Sequence, residues 1–196
     1  MTYVGIIVTF VLVNNFVLTH FLGLCPVLGA SRRAGMSVGL GLAATFLMAA
    51  GALVTWALRR MILMPLGLSF LQTIVFVIAI MALGYYLERL IQSISPALHR
   101  TVGKYLPVVS TNCVVLGIAL VTARADYSAL ESLVAGASAG AGFLIVAVLV
   151  AAIREKLEIQ QIPRALRGMP IAFITTGLMA LALLAFDQAF LHSLFG

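Results

Sequence analysis

The chain has 196 residues, of which 63% are hydrophobic and 9% charged, with a mean hydropathy of +1.16. Soluble domains carry about 25% charged residues, so this composition excludes a soluble enzyme or binding module and places the chain in a membrane. The net charge of +6 is no sign of nucleic acid, because basic residues of a membrane protein gather in the loops that set its orientation. Membrane lipid is the expected surrounding, and no nucleic-acid partner is expected.

Crossing a hydrocarbon core about 30 Å thick takes about 20 apolar residues in a helix. Six stretches come near this, approximately Tyr3–Leu24, Met36–Leu58, Phe70–Leu90, Leu106–Val121, Leu130–Ile153 and Pro170–Phe190. They predict an all-α integral membrane protein, one transmembrane domain over residues 1–196 with six transmembrane helices and short loops. No basic segment precedes the first apolar run and no small-residue cleavage pattern follows it, so the first span is expected to be retained.

The first and fourth spans differ from the rest. The first carries Asn14-Asn15 and then Phe21-Leu22-Gly23-Leu24-Cys25-Pro26; the fourth opens on Leu106-Pro107 and holds Ser110-Thr111-Asn112-Cys113 in its middle. Lipid offers no partner to such polar groups or to unpaired backbone, so both helices are predicted to be interrupted and sheltered by protein. Gly23 and Pro26, and in the fourth span Pro107, mark where the breaks are expected.

Nine of the 12 basic residues fall in the loops after the first, third and fifth spans (Arg32, Arg33, Arg89, Arg100, Lys104, Arg154, Lys156, Arg164, Arg167), and Arg59, Arg60 and Arg124 on the other side. Short cytoplasmic loops hold the excess, so both termini are expected on the periplasmic side. Aligning Arg59 with Arg154 lays Ser37–Leu58 on Ser132–Ile153 without a gap and brings Gly41 onto Gly136. Asn14-Asn15-Phe16 matches Thr111-Asn112-Cys113 at a slightly different offset. Three spans per half make the second copy enter from the opposite face, which predicts two inverted three-helix repeats, about 1–98 and 99–196.

Cys25 and Cys113 are the chain's two cysteines. Cys25 precedes Arg32 by seven residues and Cys113 follows Lys104 by nine, at most about 10 and about 13 Å of helix, so both thiols can share one depth. Each can also be a small hydrophobe packed in the core. Zinc wants four thiolate or imidazole ligands, and His20, His99 and His192 are poorly placed to supply the rest. An iron–sulfur cluster also takes four ligands, of which this chain offers two, so a second chain would bring the others. Asn15, Ser110, Thr111 and Asn112 are candidates for hydrogen bonds to the sulfurs, or for bonds between helices. No carboxylate lies at mid-depth to serve as a proton relay, and no glycine-rich phosphate loop follows a strand.

Asn14-Asn15-Phe16-Val17-Leu18, Phe21 through Pro26, Leu106 through Gly117, Ala152-Ile153-Arg154-Glu155-Lys156-Leu157 and Ile174-Thr175-Thr176-Gly177-Leu178-Met179 together resemble the RnfA subunits of bacterial Rnf ion-translocating electron transport complexes. The NqrE subunits of sodium-pumping NADH:quinone reductases are similar in the same places. The resemblance implies a multi-pass subunit of the bacterial cytoplasmic (inner) membrane, in a translocase that couples electron transfer between ferredoxin and NAD to ion movement. It implies an intramembrane 2Fe-2S cluster with Cys25 and Cys113 as iron ligands, shared with a homologous RnfE subunit that supplies two further cysteines. It implies RnfB, RnfC, RnfD and RnfG as further partners, flavins only on other subunits, and no complete active site in this chain. A non-redox inverted-repeat transporter and a structural scaffold with packed cysteines are the alternatives the residues leave open.

Overall fold

The computed structural model describes residues 3–13, 15–30, 34–67, 69–94, 106–160, 168 and 170–182. Asn14, the loop residues Arg32, Arg33, Arg100, Lys104, Arg164 and Arg167, and the expected sixth span from residue 183 onward lie outside them. The described residues are mostly helical, with no strand among them.

The expected first span is built in pieces. Helix α1 (Tyr3–Val8) widens into a π-helical turn (Thr9–Val13), and after Asn15 come α2 (Phe16–Thr19) and α3 (Leu24–Ala30). Helix α4 (Ala34–Leu58) continues through a π-helical turn (Arg59–Leu63) into α5 (Met64–Leu66), which Gly67 ends at a φ of 64°. Helix α6 spans Gln72–Ile94. The fourth span is also divided, into α7 (Leu106–Ser110) and α8 (Cys113–Arg124). Ser128 and Glu131 start α9 (Ala129–Ile159) with a reciprocal capping box, in which each side chain satisfies a backbone N–H of the first turn. Helix α10 covers Pro170–Ala182. The stretches Ser37–Leu63, Gln72–Leu90 and Ala129–Leu157 are each long and apolar enough to cross a bilayer; Cys113–Arg124 and Pro170–Ala182 are shorter apolar helices.

The core lies where α4 and α9 run against each other. Ala43, Ala44 and Ala52 of α4 and Ala135, Ala147 and Ala151 of α9 are completely buried. Lipid supplies no hydrophobic force to press two helices together, so close packing of small side chains is what holds them. Hydroxyls on the packed helices bond back to their own backbone: Thr55 Oγ1 donates to Gly51 O at 2.8 Å, Thr122 Oγ1 to Ile118 O at 2.9 Å, and Thr176 Oγ1 to Ala172 O at 2.7 Å. The cost of burying a hydroxyl is thereby offset within each helix.

The α4–α9 contact is reciprocal. A Cβ built on Gly41 would lie 3.0 Å from Leu144 Cα, and one on Gly136 would lie 3.0 Å from Ala49 Cα. Under the 95-residue offset that aligns Arg59 with Arg154, Gly41 corresponds to Gly136 and Ala49 to Leu144. The same offset pairs Thr45 with Gly140, and these two touch each other: a Cβ on Gly140 would sit 2.4 Å from Thr45 Cα. Pairs that exchange places in this way are the mark of a two-fold contact, with Thr45 and Gly140 at its centre.

Gly140→Ala is expected to destabilise the chain by about 1–3 kcal/mol, because the new methyl meets backbone that cannot swing aside. Gly177→Ala, where nothing lies within 4 Å, is expected to be neutral or slightly stabilising. Thermal unfolding of the detergent-solubilised variants measures the difference; equal midpoints would contradict the packing described.

Candidate functional site

Two helix breaks, one in each half, carry the polar residues singled out in the sequence. At the first, Asn15 adopts an extended conformation (φ −70°, ψ 107°) and caps α2 by accepting from Val17 N at 3.2 Å. Its amide nitrogen donates to Val11 O at 3.3 Å, on the preceding turn, and to Gly142 O at 3.1 Å, on α9. At the second, Asn112 has nearly the same backbone (φ −78°, ψ 129°) and caps α8 by accepting from Val114 N at 3.2 Å. Both asparagines are buried, 4% and 5% exposed. An asparagine oxygen at this position satisfies one of the N–H groups that a helix start leaves without an intrahelical acceptor.

Between α2 and α3 the chain turns through two left-handed residues, Phe21 (φ 52°) and Gly23 (φ 81°). Gly23 is required twice over. Its φ disfavours a side chain, and a Cβ there would lie 2.4 Å from Val114 Cγ2 and 3.1 Å from Asn112 Oδ1. Just beyond, α3 begins at Leu24, so Cys25 and Pro26 occupy its first turn. Pro107 likewise lies in the first turn of α7. Proline lacks only an N–H that has no intrahelical acceptor at such positions, so neither proline interrupts the helix that contains it. Among the described residues the interruptions fall at Asn15, at Phe21–Gly23, where Gly23 was expected to mark one, and at Thr111–Asn112.

These contacts bring the two cysteine-bearing stretches together. Gly23, two residues before Cys25, packs on the residues either side of Cys113, and a Cβ on Gly117, one turn further along α8, would lie 2.9 Å from Leu22 Cδ2. Both cysteines are free and both are exposed on the surface of the chain. Neither is therefore enclosed by this chain alone. Cys113 is the first residue of α8.

The other expected site residues separate by role. Ser110 is half-buried on α7 with its Cβ against Gly84 of α6, 2.5 Å from where a Cβ there would stand, so it serves the packing of those helices. Thr111 is exposed and donates from Oγ1 to Val108 O at 3.2 Å. His20 is exposed, its Nδ1 2.8 Å from Thr19 Oγ1. Among the described residues no three His, Cys, Asp or Glu side chains gather as a metal site would need.

One anchoring residue was not legible beforehand. Arg59, read from the sequence as a loop charge, donates to Ala123 O at the C-terminal end of α8 and pairs with Asp126 at 2.8 Å. Helix α8 is therefore held at both ends, by Asn112 at its start and by Arg59 at its finish.

Fold and site together define a helical membrane protein in which two interrupted helices present a pair of thiols at the chain's surface. The family model described as "Rnf-Nqr subunit, membrane protein" matches residues 3–189, and the chain belongs to that family. It is 46% identical over 187 residues to the A-type subunit of the Na(+)-translocating ferredoxin:NAD(+) oxidoreductase complex of Acetobacterium woodii, covering 95% of this chain and 97% of that one. It is 46% identical to the A-type subunit of the ion-translocating oxidoreductase complex of Serratia proteamaculans (94% and 95% covered) and 47% identical to its counterpart in Pseudomonas paraeruginosa (93% and 94%).

Asn15→Ala removes the cap on α2 and both bonds from its amide, which is expected to cost about 1–3 kcal/mol. For a chain of this size that lowers the unfolding midpoint by about 2–4 °C per kcal/mol, measurable by thermal unfolding in detergent; an unchanged midpoint would remove the asparagine from the account of the first break.

Proposed function

We propose that this chain is the A-type membrane subunit of an Rnf-type ion-translocating ferredoxin:NAD oxidoreductase of the bacterial cytoplasmic membrane, and that Cys25 and Cys113 are two of the four ligands of a 2Fe-2S cluster shared with a homologous subunit. In this reading the chain crosses the membrane six times as two inverted three-helix repeats, with both termini on the periplasmic side. The reciprocal contacts of α4 with α9 and the matched caps at Asn15 and Asn112 support the repeat relation.

The observation that carries the cofactor reading is the placement of the thiols. Two soft ligands, on backbone stretches packed against each other, both face outward from a subunit that offers no third ligand beside them among its described residues. Four thiolates complete such a cluster, so the donor set fits one half of it and leaves the other half to a neighbour. When bound, the cluster supplies one-electron transfer. The chain's own residues do the positioning: Gly23 lets the Cys25 stretch approach α8, Asn112 holds the start of the helix that begins with Cys113, and Arg59 fixes its far end. The nucleotide, flavin and ferredoxin chemistry belongs in this reading to other subunits.

Cys25→Ser and Cys113→Ser are each expected to abolish a reducible electron paramagnetic resonance signal and the matching iron content while the purified complex retains this subunit. Sodium- or proton-coupled turnover of ferredoxin and NAD should fall to background in the same preparations. A non-redox transporter would keep its ion flux, and persistence of the iron signal in both variants would remove the cysteines from the cluster.

A further inference from the structure

We propose that the side-chain amide of Asn112 donates a hydrogen bond to a sulfur of the group held by Cys25 and Cys113 and thereby raises its reduction potential. This rests on the cluster reading above and singles out one positioning residue among several polar neighbours.

The inference comes from a difference between two matched positions. Asn15 and Asn112 share a backbone conformation, a buried environment and a 3.2 Å bond from the second residue of the helix they cap. Asn15 has both of its amide bonds made, to Val11 O and Gly142 O. Asn112 Nδ2 has no partner, although the residue is only 5% exposed. The bond from Val114 N fixes which end of that side chain is oxygen, so the idle group is the N–H donor and not a misassigned acceptor.

Its position limits what can satisfy it. Asn112 is covalently next to Cys113, and its oxygen packs on Gly23, two residues from Cys25. Asn112 therefore lies where the two stretches that bear the exposed thiols meet. A buried N–H without an acceptor is unfavourable, and a sulfur of the group that the two exposed thiols would hold is the acceptor proposed for it. Reduction by one electron adds negative charge to the sulfur-bound group, and a donated N–H stabilises that form.

Neighbouring polar groups are committed elsewhere. Ser110 packs on Gly84, and Thr111 donates to Val108 O. Among the described residues, the other buried side-chain polar atom without a partner is Ser132 Oγ, which lies in the first turn of the unbroken helix α9 and has no cysteine beside it.

The test is a redox titration of the intact complex with a one-electron reductant, followed by electron paramagnetic resonance of the cluster. Asn112→Ser keeps an oxygen to accept from Val114 N and removes the amide; a tenfold loss in the reduction equilibrium is expected, a fall of about 59 mV. Asn15→Ser removes the matching amide in the other half, where both bonds run to carbonyls, and is expected to leave the potential unchanged. An unmoved potential in Asn112→Ser, or the same shift in both variants, overturns the proposal. Should Asn112→Ser assemble without a signal, wild-type complex labelled with 15N-asparagine decides: pulsed resonance of the reduced cluster should show a coupled side-chain amide nitrogen, and its absence overturns the assignment. A wild-type complex with no reducible iron signal sinks the cluster reading together with this one, whereas a signal with an unmoved potential sinks this one alone.

Discussion

A helix that stops inside a membrane leaves backbone N–H groups facing a medium that cannot bond to them, and the arrangement of this protein follows from how that requirement is met. Asn15 and Asn112 each turn a side-chain oxygen back onto the start of the next helix. With that donor satisfied, the chain can break at a level where breaks are otherwise excluded. The breaks permit two things a continuous helix forbids. They let Gly23 press against the start of α8, and they bring thiols to the surface at helix beginnings.

The two halves use the same devices to different ends. Helices α4 and α9 are continuous, lined with alanine and glycine, and packed so closely that corresponding residues trade places across the contact. They form the rigid centre. The broken helices lie around it, one tied to α9 through the Asn15–Gly142 bond and the other tied to the end of α4 through Arg59. Each interrupted helix is thus fastened to a continuous helix of the opposite half.

Much of this was legible in the sequence. Apolar stretches near the thickness of a bilayer announced the helices, and Ser-Thr-Asn-Cys in the middle of one of them announced a break. The alignment of Arg59 with Arg154 matched residues that turn out to meet across the α4–α9 contact, but it named no contact, because an alignment of two glycine- and alanine-rich helices does not say that they touch. The location of the breaks was less accessible. Pro26 and Pro107 drew attention to themselves, yet a proline in the first turn of a helix costs little; the left-handed Phe21 and the extended Asn15 and Asn112 carry the interruptions. Nor could pattern separate Asn15 from Asn112, since the difference depends on Gly142 O, 127 residues away from Asn15. The same holds for Arg59, whose acceptor on α8 lies 64 residues further on.

The contact between Thr45 and Gly140 also bears on how the two continuous helices can move. Backbone meets backbone there with no space for an added methyl, so neither helix can slide along the other without first parting from it. Any rearrangement that leaves this contact intact has to carry α4 and α9 together as one body.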